Sequence, residues 1–326
     1  MKFWMPTPLV EPDQFTLIIR NRNSGFFSNF NLVLNNLYWR LGRDGIRAAI
    51  VDWRATADTA QFPYASEEQE NLWLRFFEPL PFEYFPAARR ESNFYASSNI
   101  TSRFAYAAYK LNWRWRRDYN RLYRRYIRIR PSVREGVDRI YRSTMAARYC
   151  VGVHYRHPAH DSECLYPIPS PEVFIERARR MLPKTRPGAV FLATDLEPVV
   201  DAFRIAFGES LVIQPGVRRA RSASEKEVHR QGAPGLELGE QVLIDCLLLA
   251  RCDAMLHVAS NIATAAGYIN PRLKMVYCET PTQAIYGYWW SLKTVLRRRG
   301  RQSARGQRMR SSSHLPTGRT KSAGTE

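Results

Sequence analysis

The chain has 326 residues, of which 45% are hydrophobic and 13% aromatic, and its formal net charge is +19. This length allows one large or two medium domains with a sizeable core, and the composition excludes a largely disordered chain. The strongly basic balance suits an acidic ligand, a nucleic acid or an anionic membrane face as a partner.

The five cysteines are odd in number and have no CxxC spacing. That pattern argues against a disulfide framework and against a zinc ribbon. The opening MKFWMPTPLVEPDQ lacks the apolar run of a signal peptide, and no stretch approaches the roughly 18 apolar residues of a membrane span. We therefore expect a soluble, cytoplasmic protein.

The first part of the chain has the pattern of a parallel α/β unit. Residues 15–20 (FTLIIR) and 46–53 (IRAAIVDW) predict strands, and residues 30–41 (FNLVLNNLYWRL) predict a helix between them. Residues 21–29 (NRNSGFFSN) predict a turn, and the aromatic, Pro-punctuated stretch to about residue 100 gives no clear pattern. We expect a Rossmann-like domain over residues 1–147.

Residues 103–145 are basic and helical, with a break at Pro131. Aromatic side chains recur there at spacings of three to six, roughly on one face, with arginines on the other; they are Tyr106, Tyr109, Trp113, Tyr119, Tyr123 and Tyr126. Arginine stems cover apolar surface while their charged ends stay in water. We therefore expect a solvated helix face rather than a nucleic-acid-binding helix.

After about residue 147 strands alternate with helices again. Strands are predicted at residues 149–156, 189–195, 210–215, 254–260 and 273–278, and helices at 170–182, 197–208, 238–252 and 261–269. Ser170 is expected to cap the first of these helices and Gly208 to close the second. The pattern predicts a second Rossmann-like domain over residues 148–296, facing the first across a cleft. The Arg-, Ser- and Gly-rich residues 297–326 predict a disordered basic tail.

Polar side chains stand where several of these predicted strands end. Arg156 lies just past one strand and Asp195 ends another, while Ser260 and Asn261 begin a helix whose free N–H groups favour an anion. The carboxyl ends of parallel strands meet at one edge of a sheet, and ligands bind there. An arginine beside a helix N-terminus is an arrangement that binds a diphosphate.

Three blocks of this part resemble those shared by α1,2-, α1,6- and protein O-fucosyltransferases, in particular the bacterial nodulation-factor type. They are GVHYR at 152–156, FLATD at 191–195 and GEQVLIDCLLLARCDAMLHVASNIATAAGYINP at 239–271. The resemblance covers roughly residues 148–280. It implies an α/β protein of GT-B architecture that moves fucose, or a related sugar, from a GDP-sugar to a glycan or glycolipid hydroxyl. It also implies inversion at the anomeric carbon and no metal cofactor.

The same resemblance implies which residues bind the donor. They are Gly25, His154, Arg156, Asp195, Asp245, Ser260 and Asn261. Arg156 would bind the leaving β-phosphate, assisted by Ser260 or Asn261. His154 and Asp245 would hold guanine. The Gly25 loop would approach the diphosphate from the first domain, although this glycine could also serve a turn alone.

One departure from the family pattern leaves the catalytic base open. The family often follows its first arginine with a second arginine, then threonine and aspartate, whereas this chain has HYRHPAHD with His157 in the second position. Deprotonating the acceptor hydroxyl requires a carboxylate or imidazole within hydrogen-bond reach. Asp161 and Glu163 are the candidates, with Glu163 preferred.

Two alternatives use the same loop differently. His154, His157, His160 and Asp161 could be metal ligands of a metal-dependent hydrolase, although their spacing matches no known zinc pattern. The altered loop could also belong to a GDP-sugar-binding protein without transfer activity. The basic surface and the basic tail are expected, from their charge alone, to contact an anionic membrane at its cytoplasmic face.

Overall fold

The computed structural model describes residues 15–43, 45–54, 64, 70–82, 89–92, 113–163, 167–225, 228 and 235–278, with the backbone alone at 89–92 and 162–163. The predicted basic tail, together with Tyr106, Tyr109 and Cys164, lies outside the described residues. The other four cysteines are buried free thiols. Within the described ranges, no helix is long and apolar enough to cross a membrane.

The first half forms a three-stranded parallel sheet. Its elements are β1 (Phe15–Arg20), α1 (Phe26–Trp39), β2 (Ile46–Asp52), α2 (Trp73–Phe76) and β3 (Arg89–Ser92), and the strand order is β2-β1-β3. Because β1 is central, the loop that follows it lies at the switch point of the sheet, where ligands bind. Helix α1 begins at Phe26 rather than at residue 30, so the turn predicted over 21–29 is wrong beyond Gly25.

The basic segment forms α3 (Trp113–Tyr126) and α4 (Pro131–Thr144), with Pro131 at the first position of α4 as expected. Tyr119 and Tyr126 are buried, as the aromatic spacing predicted. Trp113, however, is 60% exposed and does not belong to the buried face. Its ring is covered on one side by the guanidinium of Arg117, whose Cζ lies 4.6 Å from the ring centroid.

The second half is a five-stranded parallel sheet with helices between the strands. Its elements are β4 (Tyr149–His154), α5 (Pro171–Met181), β5 (Gly188–Ala193), α6 (Glu197–Phe207), β6 (Leu211–Ile213), α7 (Gly235–Arg251), β7 (Ala254–His257), α8 (Asn261–Ile269) and β8 (Lys274–Tyr277). The order β6-β5-β4-β7-β8 is that of a Rossmann fold, whose switch point lies between β4 and β7. Every predicted strand of this half is present.

Two predicted helix ends have different outcomes. Gly208 follows α6 with a φ of 52°, so the glycine closes this helix as predicted. Ser170 does stand at the N-cap of α5, but its side chain makes no capping hydrogen bond. The predicted start of this helix is therefore confirmed, but the prediction that the Ser170 side chain caps it is wrong.

Close packing brings α7 onto the central strand β4. A Cβ atom at Gly152 would lie 2.9 Å from the Sγ atom of Cys252 and 3.0 Å from Cδ2 of Leu249. Only glycine therefore allows the helix to approach this closely. The approach fixes the helix that carries Asp245 above the sheet.

Helices α3 and α4 pack on the second half. Arg116 of α3 donates hydrogen bonds to the carbonyls of Asn270 and Leu273, and the rings of Tyr119 and Tyr268 stack at 4.4 Å. Helix α4 contacts α7. Both sheets belong to one compact unit, Met1–Cys278. The boundary predicted near residue 147 lies between α4 and β4, and it stays a prediction.

Candidate functional site

A cavity of about 840 Å³ opens at the carboxyl ends of β4 and β5 and at the N-termini of α1 and α8. All seven predicted donor-binding residues line it: Gly25, His154, Arg156, Asp195, Asp245, Ser260 and Asn261. The volume is in the range of small-molecule and cofactor sites. Residues from both halves of the chain thus contribute to one cleft.

Arg156 is held beside the first turn of α8. Its Nη1 atom donates a hydrogen bond to the carbonyl of Ala259 (3.0 Å), the residue before Ser260. The Ser260 Oγ accepts from the backbone N–H of Ala263 (3.1 Å), so this serine caps α8, and it also lines the cleft. A guanidinium and a helix N-terminus therefore lie together, which is an arrangement that binds phosphate oxygens.

His154 is a neutral member of the cleft wall. Its Nδ1 atom lies 3.1 Å from Ser260 Oγ, within hydrogen-bond distance. Burial and, to a smaller extent, the nearby positive charge of Arg156 together lower the pKa of His154 to about 3. At neutral pH the ring is uncharged, and it acts as a hydrogen-bonding group rather than as a cation.

Asp245 is 9% exposed, and burial raises its pKa to about 8 against the opposing charge of Arg219. With its amide NH2 facing the acceptors, Gln214 donates to Asp245 Oδ1 at 2.8 Å. The carboxyl group is therefore largely protonated at neutral pH when the cleft is empty. A ligand that offers N–H donors would favour its ionised form.

Gly25 occupies the N-cap of α1 with φ −57° and ψ 155°, which any residue can adopt. A Cβ atom placed there would meet no atom of the described residues within 4 Å. Neither the backbone conformation nor the packing therefore requires glycine at position 25. The alternative that Gly25 is needed only to form a turn is not supported. The open space beside it belongs to the cleft.

Asn29 shapes the loop that carries Gly25, and this residue was not predicted from the sequence. Its Oδ1 accepts from the backbone N–H of Arg22 (2.8 Å), and its Nδ2 donates to the carbonyl of Ser24 (3.1 Å). The side chain is fully buried. An asparagine among phenylalanines was the available signal, since such a residue needs polar partners when buried.

His157, which takes the place of the family's second arginine, is 1% exposed and lies in the cleft wall. Its Nδ1 accepts the backbone N–H of Ala159 (3.1 Å), so the proton of the neutral ring is on Nε2. Within the described part of the chain, that Nε2 is buried and has no hydrogen-bond partner. A buried donor without an acceptor is costly, and a ligand oxygen could satisfy it.

Of the two predicted catalytic carboxylates, the structure describes the side chain of Asp161 only. Asp161 Oδ1 accepts the backbone N–H of Ile168 (2.9 Å), and this contact ties together the ends of the loop 161–168. Within the described part of the chain, the Asp161 side chain does not line the cleft. Glu163 is the last residue of a 3-10 helix, Pro158–Glu163, and its side chain lies outside the described part of the chain. Which of them acts as the base stays a prediction.

The metal-ligand hypothesis finds no support in the described part of the chain. No group of three or more His, Cys, Asp or Glu side chains is arranged there to hold a metal ion. His154, His157 and His160 do line the cleft, but Nδ1 is already engaged in the first two, with Ser260 and Ala159. Two of the three histidines therefore take part in hydrogen bonds in the cleft wall.

Further residues of the cleft were not predicted. Gln241, Arg218 and Tyr64 line it together with Phe26 and Phe27. Gln241 lies one helical turn before Asp245, so helical spacing could have identified it. Tyr64 lies in the stretch after residue 54, where no periodic pattern pointed to it.

Comparisons with known proteins agree with this geometry. A family model described as Nodulation protein Z (NodZ) matches residues 93–286, more than half of the chain. The crystal structure of NodZ alpha-1,6-fucosyltransferase soaked with GDP-fucose has a TM-score of 0.52 at 21% identity and covers 78% of this chain and 92% of that one. That of fucosyltransferase NodZ from Bradyrhizobium has a TM-score of 0.51 at 21% identity, with the same coverages of 78% and 92%.

A third structure, NodZ alpha-1,6-fucosyltransferase co-crystallized with GDP, has a TM-score of 0.50 at 21% identity and covers 78% of this chain and 91% of that one. No curated protein matches the chain. At this identity the structural likeness establishes the fold, and it confirms the predicted GT-B architecture of two Rossmann-like halves. With the family match extending over more than half of its length, the chain belongs to the NodZ family.

Proposed function

We propose that this protein is a fucosyltransferase that transfers fucose from GDP-fucose to a hydroxyl group of a glycan or glycolipid, with inversion and without a metal ion. The observation that carries the proposal is the convergence of the seven predicted donor-binding residues on one cleft. Family membership and the GDP and GDP-fucose used with related NodZ crystals support the choice of donor.

The cleft offers one group for each part of the donor. Arg156 and the N-terminus of α8 would bind the diphosphate, and Gly25 leaves room for it beside α1. The neutral His154 and the carboxylate of Asp245 would hold guanine, whose N–H groups suit an ionised carboxylate acceptor. The buried Nε2–H of His157 would donate to a further donor oxygen.

The reaction would be a single displacement at the anomeric carbon. The acceptor oxygen attacks opposite to the leaving GDP and loses its proton to Glu163, while the carbon–oxygen bond to the β-phosphate breaks and the electron pair leaves with GDP. Arg156 would stabilise the negative charge that develops on that phosphate. This guanidinium and the helix dipole do the electrostatic work for which other glycosyltransferases need a bridging cation, so no metal is required.

Asp161 would support Glu163 rather than share its role. Its carboxylate is engaged with the backbone of Ile168, and it thereby fixes the loop that carries Glu163. We propose Glu163 as the general base on this ground.

We also propose a cytoplasmic location, with glycan or glycolipid acceptors and a peripheral contact of the basic tail with an anionic membrane. These proposals rest on the net charge of the chain, on its basic tail and on the absence of a signal-peptide pattern in its opening residues. A protein that binds GDP-sugar without turnover is the second candidate, since His157 departs from the family pattern.

Thermal unfolding of the purified protein with GDP, UDP, GDP-fucose and a chelator, one at a time, tests the donor. A ligand that binds the native state raises the melting temperature by mass action, so GDP and GDP-fucose should raise it and the chelator should not change it. A loss of stability on chelation, with no effect of GDP, would contradict the proposal.

Transfer assays with Arg156→Ala test the mechanism. The variant should stay folded and lose transfer by about 10²- to 10³-fold, the usual effect of removing one such electrostatic group. Near-normal turnover would refute the assigned role. Donor binding without any turnover by the unmodified protein would favour the non-catalytic alternative.

A further inference from the structure

Helix α3 carries an exposed cationic surface that the donor cleft does not use. Five of its arginines are exposed, and we call them the arginine face: Arg114, Arg117, Arg121, Arg124 and Arg125. At 100° per residue they lie within an arc of about 100° around the helix axis. The charges therefore point in one direction, over a helix of 14 residues.

The opposite side of α3 is committed to the protein. Tyr119 is 2% exposed and its hydroxyl donates to Asn35 of α1, while Arg116 and Asn120 donate to backbone carbonyls of α8 and of the segment after it. The helix can therefore neither roll nor detach without loss of these contacts. Its arginine face is a fixed, outward-facing surface.

The charge of this face is poorly neutralised. Asp118 is the only acidic residue between Trp113 and Arg134, and it pairs with Arg117 (3.9 Å) and Arg121 (3.5 Å). No acidic partner is present for Arg114, Arg124 or Arg125 among the described residues. Concentrating like charges in this way is unfavourable unless an anionic partner compensates them.

Exposed apolar side chains accompany the charges. Trp113 at the start of α3 is 60% exposed, and Leu74 is 38% exposed. Leu74 lies beside the segment after α3, where Arg130 Nε donates to its carbonyl (2.8 Å). Exposed tryptophan and leucine next to arginines are typical of surfaces that rest on a lipid headgroup layer, where aromatic rings sit at the interface.

A nucleic acid fits this surface less well. Single-stranded nucleic acid is held by stacking on several exposed aromatic rings, and α3 exposes only Trp113 in the described part of the chain. A flat anionic plane matches a one-sided row of charges better.

We propose that the arginine face, with Trp113 and Leu74, is a docking surface for a membrane that contains anionic phospholipids. The inference does not depend on the proposed transferase activity. It goes beyond the contact expected from net charge, because it assigns membrane binding to one folded surface rather than to the basic tail.

Vesicle co-sedimentation of the full chain tests the proposal. The probes are phosphatidylcholine vesicles with and without 30% phosphatidylglycerol, at low and at physiological ionic strength. The test variant is Arg114→Gln/Arg121→Gln/Arg124→Gln. The matched control is Lys184→Gln/Arg186→Gln/Arg204→Gln, which removes the same charge from exposed positions on α6 and before β5. Melting temperatures of all proteins confirm that they are folded.

We expect the unmodified protein to bind the anionic vesicles selectively, with an affinity that falls as salt is added. The arginine-face variant should lose at least tenfold in partition coefficient, and the control should lose less than threefold. Trp113→Ala should weaken vesicle binding a few-fold. The remaining binding should be more sensitive to salt, because a smaller part of its free energy then comes from apolar contact.

Equal binding by the arginine-face variant and the unmodified protein would overturn the proposal, since another segment would then hold the membrane. Equal binding to neutral and anionic vesicles would also overturn it. A third result would also overturn the proposal: the protein binds an oligonucleotide duplex more tightly than vesicles at equal phosphate concentration, and the arginine-face variant loses this duplex binding.

Discussion

Asn31 of α1 donates hydrogen bonds from its Nδ2 atom to both the backbone oxygen (3.1 Å) and the side-chain Oδ1 (3.2 Å) of Asn261, the first residue of α8. The Asn31 side chain is buried, and the two residues belong to opposite halves of the chain. The second turn of α1 is therefore joined directly to the N-terminus of α8, and both helices have their N-termini at the cleft.

Replacing Asn31 by leucine should raise the KM for GDP-fucose several-fold, because α1 and α8 lose their direct link at the cleft. The loss of a buried hydrogen bond should also cost about 1–3 kcal/mol of stability. Donor titrations together with thermal melts measure both effects. The matched control is Asn36→Leu, since the Asn36 Nδ2 donates to Leu32 within the same helix (2.9 Å). An equal rise in KM in the control would show that only general destabilisation is involved.

Gly25→Ala should leave the fold intact and weaken GDP binding about tenfold, or ~1.4 kcal/mol. The added methyl group meets no protein atom, but it enters the space proposed for the diphosphate. The opposite result is expected for Gly42→Ala, because Gly42 has a φ of 79°. That variant should lose about 1 kcal/mol of stability and bind GDP normally. Calorimetric titration and thermal melts of both variants test the pair. Unchanged GDP affinity in Gly25→Ala would remove the glycine from the site.

GDP affinity should rise with pH and level off near pH 8. Burial raises the pKa of Asp245 to about 8, so below that pH the carboxyl group must release a proton before it can accept hydrogen bonds from guanine. A coupled release of one proton changes the affinity about tenfold per pH unit below the pKa. Titrations of GDP from pH 6 to 9 measure the slope. Asp245→Asn should bind GDP weakly at every pH. If the slope persists in that variant, another group is responsible.

The same shift has a consequence for stability, with a definite sign. Between pH 4 and about 8 the native state holds a proton on Asp245 that the unfolded chain has lost. The stabilisation from this protonated form is complete below the unfolded pKa and disappears as the pH rises through the folded pKa. Relative to Asp245→Asn, the unmodified protein without ligand should therefore lose stability over this range. Denaturant unfolding at several pH values checks the direction.

His157→Phe should weaken GDP-fucose binding, because it removes the buried Nε2–H that we propose as a donor to the ligand. It should also cost about 1–3 kcal/mol of stability, because the backbone N–H of Ala159 loses its acceptor. His157→Gln keeps an N–H donor and should restore part of the affinity. Donor titration and thermal melting of the two variants separate binding from folding. A large drop in melting temperature of His157→Phe, with normal donor affinity, would assign His157 to structure alone.

Glu163→Gln and Asp161→Ala should fail in different ways. The first variant should lower kcat by about 10²- to 10⁴-fold, as expected for a general base, with donor affinity unchanged. The second should mainly lower the melting temperature, because the carboxylate that accepts the backbone N–H of Ile168 is lost. Steady-state kinetics and thermal melts distinguish them. The opposite pattern would make Asp161 the base and Glu163 the support.

Much of the second half could be predicted from the chain alone. Its strands are short apolar runs bounded by Gly, Pro and Asp, and those signals are local. The carboxyl ends of parallel strands meet at one edge, so Arg156, Asp195 and Ser260 could be assigned to one site without coordinates. Local patterns and one topological rule were sufficient there.

Other features depended on the tertiary structure. Helix α1 begins at Phe26 because the Phe26 ring packs in an aromatic core formed by distant residues such as Trp53 and Phe76, and no local sequence pattern predicts this contact. The roles of His157 and Asp161 were equally inaccessible. Metal ligands and hydrogen-bonding groups have the same residue types, and only distances to Ala159 and Ile168 distinguish them.

The sequence by itself thus determined which chemistry was available, because residue types and strand periodicity are properties of short segments. Tertiary structure decided which groups act together. The second turn of α1 and the N-terminus of α8 meet through Asn31 and Asn261, 230 positions apart in the chain. No local pattern encodes such a distance, since only the packing of complete elements closes it.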